Sequence, residues 1–157
     1  WGLQRIENKK MKTEKTITIC CSASFYRQAL EAEEKLKKAG FSVLIPDTAY
    51  RMRQTGNFNV SAYKTWYSND ADWDKKTAFM RRHFDKVLKG DVILVLNCEK
   101  NGIAGYIGGN VLMEMALAFY LKKPIYILNP IDQKLPLYEE ILGTQPTFLN
   151  GSLERLP

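Results

Sequence analysis

Apolar residues fall in short blocks along the chain, separated by longer stretches of mixed polarity. Thr16-Ile17-Thr18-Ile19-Cys20-Cys21 is β-branched and predicts a strand. Ser22-Ala23-Ser24 follows at once as a cap-like cluster, and the helix it opens runs to about Ala39 and stops at Gly40. Phe41-Ser42-Val43-Leu44-Ile45 is the next strand, ended by Pro46-Asp47. Residues 48–69 show no clean period and mix polar with aromatic side chains; a connection of that length in a compact domain is usually functional or mobile. Residues 70–89 read as a helix, with Phe79, His83 and Val87 at helical spacing and Asp72 and Asp74 near its start, where the helix dipole favours anions. Asp91-Val92-Ile93-Leu94-Val95-Leu96-Asn97 is the most apolar strand, and a near-continuous apolar run suits a parallel strand covered on both faces. A glycine-bearing loop over residues 98–109, a helix over 110–122, a strand over 124–128, a helix containing Tyr138-Glu139-Glu140 and a short strand near Thr147-Phe148-Leu149 complete the chain.

Alternation of strand and helix predicts an α/β fold: a doubly wound, five-stranded parallel sheet in three layers, flavodoxin- or Rossmann-like, with strand order 2-1-3-4-5. Such sheets bind ligands outside the carboxyl ends of their strands where the order reverses. Here that point lies between the first strand and the Asp91 strand. The expected pocket therefore draws on Ser22, Ser24 and Phe25 after the first strand, on Asp47 and Asn97, and on Tyr106, Gly108, Gly109 and Asn110 at the start of the fourth helix.

Composition narrows the function. The length of 157 residues suits one domain, expected over residues 16–157, with residues 1–15 an extension and Met11 a candidate natural start. The net charge is +6, but half of that excess sits in residues 1–15. The remainder suits a nucleotide-sized ligand and is too small to argue for nucleic acid, for which no helix-turn-helix, RNP or KH signature is present. Three cysteines without a CxxC, and one histidine without a companion at ligand spacing, indicate neither a disulfide framework nor a metal site and suit a cytoplasmic setting. No apolar run reaches the roughly 20 residues of a membrane span. Gly105, Gly108 and Gly109 are out of register for a dinucleotide fingerprint and no P-loop lysine follows, so no cofactor is expected.

The helix Val111-Leu112-Met113-Glu114-Met115-Ala116-Leu117-Ala118-Phe119-Tyr120-Leu121 is apolar except at Glu114, and is expected to be buried nearly all round. A buried carboxylate costs several kcal/mol unless paired or hydrogen-bonded. Glu114 is expected in the first turn, behind Asn110 as N-cap, where free N–H groups favour an anion. Such a residue either caps the helix and pairs with a lysine or carries chemistry, and its position at the switch point argues for chemistry.

The Asp91 strand, Gly105-Tyr106-Ile107-Gly108-Gly109-Asn110-Val111-Leu112-Met113-Glu114-Met115-Ala116-Leu117-Ala118-Phe119, and Lys123-Pro124-Ile125-Tyr126-Ile127-Leu128 together resemble the nucleoside 2-deoxyribosyltransferase superfamily, which includes deoxynucleoside 5′-monophosphate N-glycosidases. The likeness spans residues 16–128. It implies that Glu114 is a nucleophile that attacks C1′, expels the base and forms a glycosyl-enzyme, which a second base or water then resolves. The chemistry agrees, because an oxocarbenium-like state is stabilised or trapped by a nearby carboxylate. The family's acid register falls on His83, with Asp85 two residues on, and Asp47 and Asp72 are alternatives. Met115 and Ala116 depart from the family's Leu-Gly. Residues 50–67 are a candidate lid, with Tyr63, Trp66 and Tyr67 to stack on a base. The family also implies a homodimer or larger oligomer. Competing readings are a phosphoribohydrolase of the cytokinin-activating type, whose Pro-Gly-Gly-x-Gly-Thr-x-x-Glu pattern is only partly present, and a nucleotide-binding or sensing module without turnover.

Overall fold

The computed structural model describes residues 14–157, so the expected extension over 1–15 lies almost wholly outside the described residues. Five strands, β1 (Thr16–Cys20), β2 (Ser42–Leu44), β3 (Val92–Val95), β4 (Ile125–Ile127) and β5 (Thr147–Phe148), pair in parallel in the order β2-β1-β3-β4-β5. The helices are α1 (Tyr26–Lys38), α2 (Asp47–Thr55), α3 (Trp73–Lys89), α4 (Gly109–Tyr120) and α5 (Tyr138–Gly143). This is the expected three-layer α/β fold.

Alternation along each strand splits the core between the two faces. Ile17, Ile19, Val92 and Leu94 pack with Ala29, Ala32 and Leu36 of α1. Cys20, Ile93 and Val95 face the other way, against Val87 of α3, Val111, Met115 and Ala118 of α4, and Ile141 of α5. Each fully buried Ile or Leu contributes about 1.5–3 kcal/mol. Two polar ties fix α3 on the sheet. The hydroxyl of buried Thr18 donates to the Lys86 carbonyl across 2.8 Å, and Lys123 Nζ donates to the carbonyls of Val87 (2.9 Å) and Gly90 (2.7 Å), closing the C-terminal end of α3.

Three segments differ from the sequence expectation. Residues 47–55 form α2 where no period was evident, because only Ala49 and Met52 are buried there. The rest of the helix is held by Tyr50, which donates to Glu33 Oε2 across 2.6 Å, and by Arg53, 3.3 Å from Glu33 Oε1. The expected helix over 70–89 begins with a 3₁₀ turn (Asp70–Asp72) before α3. Helix α4 is not buried all round: Met113, Phe119 and Tyr120 form an exposed apolar face.

Candidate functional site

Cys21 and Ser22 follow β1, Asp47 opens α2, and Gly109 opens α4, all at the carboxyl edge of the sheet. Helix α3 lies across this edge and turns Lys76, Phe79, Met80 and His83 towards it at helical spacing. Residues 63–67 close the far side. These elements enclose a cavity of about 300 Å³. Asn97, at the end of β3, shapes its rim from behind. Its Oδ1 accepts from the Asn129 N–H and its Nδ2 donates to the Asn129 carbonyl, both at 2.8 Å, and Nδ2 also reaches the Gly105 carbonyl at 3.4 Å. Gly105 has φ +65°, and a Cβ there would sit 2.3 Å from the Pro130 carbonyl oxygen, so only glycine fits this turn.

Glu114 stands in the cavity wall and is 3% exposed. Asn110 Nδ2 donates to its Oε1 across 3.0 Å, whereas Oε2 has no hydrogen-bond partner among the described residues. Burial pushes the Glu114 carboxyl up to about 8, although the Cys20 thiol and the Lys76 ammonium favour the anion. Glu114 lies two residues further into α4 than expected, in the second turn and beyond the free N–H groups of the helix start. That placement leaves its desolvation unrelieved. His83 Nε2 is 3.8 Å from Glu114 Oε2 and 3.6 Å from Cys20 Sγ. Burial, with Lys86 nearby, pushes His83 down to about 4. At neutral pH His83 and most of Glu114 are therefore uncharged, and their contact is not an ion pair.

Asp47 also lines the cavity but is held by Lys86 and by Arg82, whose Nε lies 2.7 Å from Oδ2. Burial opposes ionisation of Asp47, but the hydrogen bonds from Lys86 and Arg82 outweigh it and hold the carboxyl below its ordinary value. Asp72 pairs with Lys75 across 2.9 Å and lies off the cavity wall.

Three lysines face the cavity with no carboxylate partner among the described residues: Lys64, Lys76 and Lys100. Lys76 donates to Asn110 Oδ1 at 3.1 Å and Lys100 to Ser22 Oγ at 3.2 Å. Burial and then the charges of Lys100 and Lys76 lower the Lys64 pKa, as expected where like charges crowd. Trp66 is buried against Phe79 and Trp73, with ring centroids 6.2 and 6.3 Å away, and Tyr63 and Tyr67 share its wall of the cavity.

The fold thus brings together Glu114, His83, Ser22, Asp47, Tyr106, Gly108, Gly109 and Asn110 from the sequence-based set. Four others lie elsewhere. Asp85 is exposed on α3, Ser24 is exposed beside the cap, Phe25 is in the core edge-on to Tyr106, and Asn97 braces the loop from behind. Asn110 is not the N-cap, a place taken by Gly108 without a side-chain bond; its amide instead links Lys76 to Glu114. The three lysines and Cys20 were missed. Lys76 was legible as a cation on the same helical face as Phe79, Met80 and His83. Lys64 and Lys100 sit in irregular segments where spacing gives no direction. No family model and no curated protein matches the chain.

Proposed function

We propose that the protein cleaves the N-glycosidic bond of a 2′-deoxynucleoside 5′-monophosphate, with Glu114 as nucleophile and water or a second base as acceptor of the sugar. The observation that carries the reading is Glu114 itself, a buried carboxyl in the cavity wall at the switch point, with one oxygen held by Asn110 and the other without a hydrogen-bond partner among the described residues. Oε2 attacks C1′, the C1′–N bond breaks with its electron pair going to the base, and a glycosyl ester forms. Water or a base then attacks C1′ and returns the carboxylate. The carboxylate's charge opposes the positive charge developing at C1′. The departing base takes its proton from solvent or from Lys64, whose lowered pKa makes it a better donor than an ordinary lysine. Neutral His83 and ion-paired Asp47 are poorly suited to that role.

The phosphate preference is supported by Lys64, Lys76 and Lys100. Three ammonium groups crowded around one cavity repel one another until an anion joins them. Tyr63, Trp66 and Tyr67 offer faces on which a base stacks, at about 1–3 kcal/mol. The test is to incubate the protein with each deoxynucleoside and each deoxynucleoside monophosphate, with and without free adenine, and follow bases by chromatography. Base release from monophosphates, and a KM raised about tenfold or more in Lys100→Met for those substrates alone, are the expected results. Binding without turnover would favour a second reading, a nucleotide-sensing module, which is motivated by the absence of a carboxylic acid other than Glu114 poised to give a proton among the described residues.

The exposed Met113, Phe119 and Tyr120 of α4 are the face we assign to a homodimer or larger oligomer, to be tested by light scattering of the wild type and Phe119→Glu. No described helix is long and apolar enough to cross a membrane, and the three free thiols are in keeping with a cytoplasmic enzyme.

A further inference from the structure

Local spacing in the sequence pairs no metal ligands, yet three elements deliver them to one point. Cys20 ends β1, His83 lies on α3 and Glu114 on α4; all three are buried, and their ligand atoms lie within 4.8 Å of one another. In a tetrahedral zinc centre, bond lengths of about 2.3 Å to sulfur and about 2.0–2.1 Å to nitrogen put those two atoms roughly 3.6 Å apart. Cys20 Sγ and His83 Nε2 are 3.6 Å apart and Nε2 is 3.8 Å from Glu114 Oε2, so those two edges need shifts of no more than about half an ångström, and a rotation of the Glu114 carboxyl closes the third, which lies within 4.8 Å. Glu114 Oε2 has no hydrogen-bond partner among the described residues, an orphaned acceptor nine-tenths buried and aimed into the cluster. His83 and Glu114 line the cavity whereas Cys20 is fully buried away from it, so the cavity side is where a fourth ligand such as water has room.

We propose that Cys20, His83 and Glu114 bind one zinc-class divalent cation, and that this cation shuts the glycosidic site by occupying the oxygen that would attack C1′. A thiolate, an imidazole and a carboxylate form the mixed S/N/O set that selects zinc over magnesium or calcium. Binding forms metal–sulfur, metal–nitrogen and metal–oxygen bonds. The thiol and the carboxyl each release a proton to solvent, and the imidazole, already neutral, releases none. Cation and sugar then exclude one another, because both need Oε2 and the same open side of the cavity. Metal binding stands on the cluster geometry alone, whereas the inhibition rests on the reading of Glu114 as nucleophile.

The experiment is to treat the full-length protein with chelator, remove the chelator, and titrate with Co²⁺ while recording absorption. One equivalent is expected to give the bands of tetrahedral cobalt and a thiolate-to-cobalt charge-transfer band, which Zn²⁺ bleaches by displacement. Cys20→Ser should lose the charge-transfer band and weaken binding at least about tenfold, with folding checked by circular dichroism. Cys21→Ser and Cys98→Ser should keep the band, which serves if Cys20→Ser fails to fold. Absence of the band at one equivalent, its persistence in Cys20→Ser, or its loss in Cys21→Ser or Cys98→Ser would overturn the site. Base release measured on the same samples separates the two readings. Undiminished turnover in cobalt-loaded protein overturns the inhibition, and a protein that gives the cobalt spectrum but turns over no nucleotide even in its metal-free form overturns the enzymatic reading and leaves the metal site standing.

Discussion

Replacing Glu114 by Gln removes the group that the site holds at the greatest cost. The folded carboxyl is pushed up to about 8, whereas an unfolded glutamate has its ordinary value of 4.5. Between these values the folded chain binds a proton that the unfolded chain has lost, so stability falls as pH rises through this window. At about 1.4 kcal/mol per pH unit, the loss is about 3 kcal/mol by pH 7 and on the order of 5 kcal/mol above pH 8. Gln keeps the shape and the oxygen that accepts from Asn110 Nδ2. Its amide NH₂ stands where Oε2 has no partner, which costs about 1 kcal/mol. Glu114→Gln should therefore stabilise the protein by about 2 kcal/mol at pH 7, which for a chain this long is a rise of roughly 4–8 °C in Tm. The gain should grow at pH 9, vanish near about pH 5 and turn into a small loss at pH 4.5. The assay is thermal and urea denaturation of both proteins at those pH values, with chelator present. A variant less stable than wild type at pH 7 and pH 9, or a difference that does not change with pH, refutes the reasoning.

The same carboxyl shapes the rate. In chelated buffer kcat/KM should rise with pH to a plateau, with an apparent pKa near 8 from Glu114, and show no inflection between pH 6 and 7 from His83, whose pKa lies at about 4; Lys76→Met should move the midpoint upward, because the ammonium favours the anion. Asn97→Ala should lower stability by about 3 kcal/mol, since it strips hydrogen bonds from the buried β3–β4 junction, and calorimetry checks the loss. Gly105→Ala should cost about 2 kcal/mol or more because of its positive φ and the Pro130 carbonyl, whereas Gly109→Ala, with nothing within 4 Å of the added methyl, should leave urea stability within about 0.5 kcal/mol.

The sheet was legible because each strand carries an apolar run bounded by Gly, Pro or Ser, and because parallel strands are buried on both faces. The order of those runs dictated the switch point, and with it Glu114, Ser22 and the glycine turn. Helix α2 was not legible, since two buried residues in nine leave no period, and its stability comes from Glu33, seventeen and twenty residues away in sequence from Tyr50 and Arg53. The exposed side of α4 was not legible, because Met113, Phe119 and Tyr120 are apolar yet face solvent, and composition alone does not tell a core face from an uncovered one. Register in the sequence sets Asp85 close to His83, but two residues on a helix is more than half a turn, which sends Asp85 to the opposite, exposed face. The Cys20–His83–Glu114 cluster draws one residue from each of three elements and leaves no trace in local spacing.

Base release from the deoxynucleoside monophosphates by wild-type protein and by Glu114→Gln, compared side by side in chelated buffer above pH 8, tests the central claim most directly. The account predicts steady release by the wild type and none by the folded variant. Equal release by both, or release by neither, would contradict it.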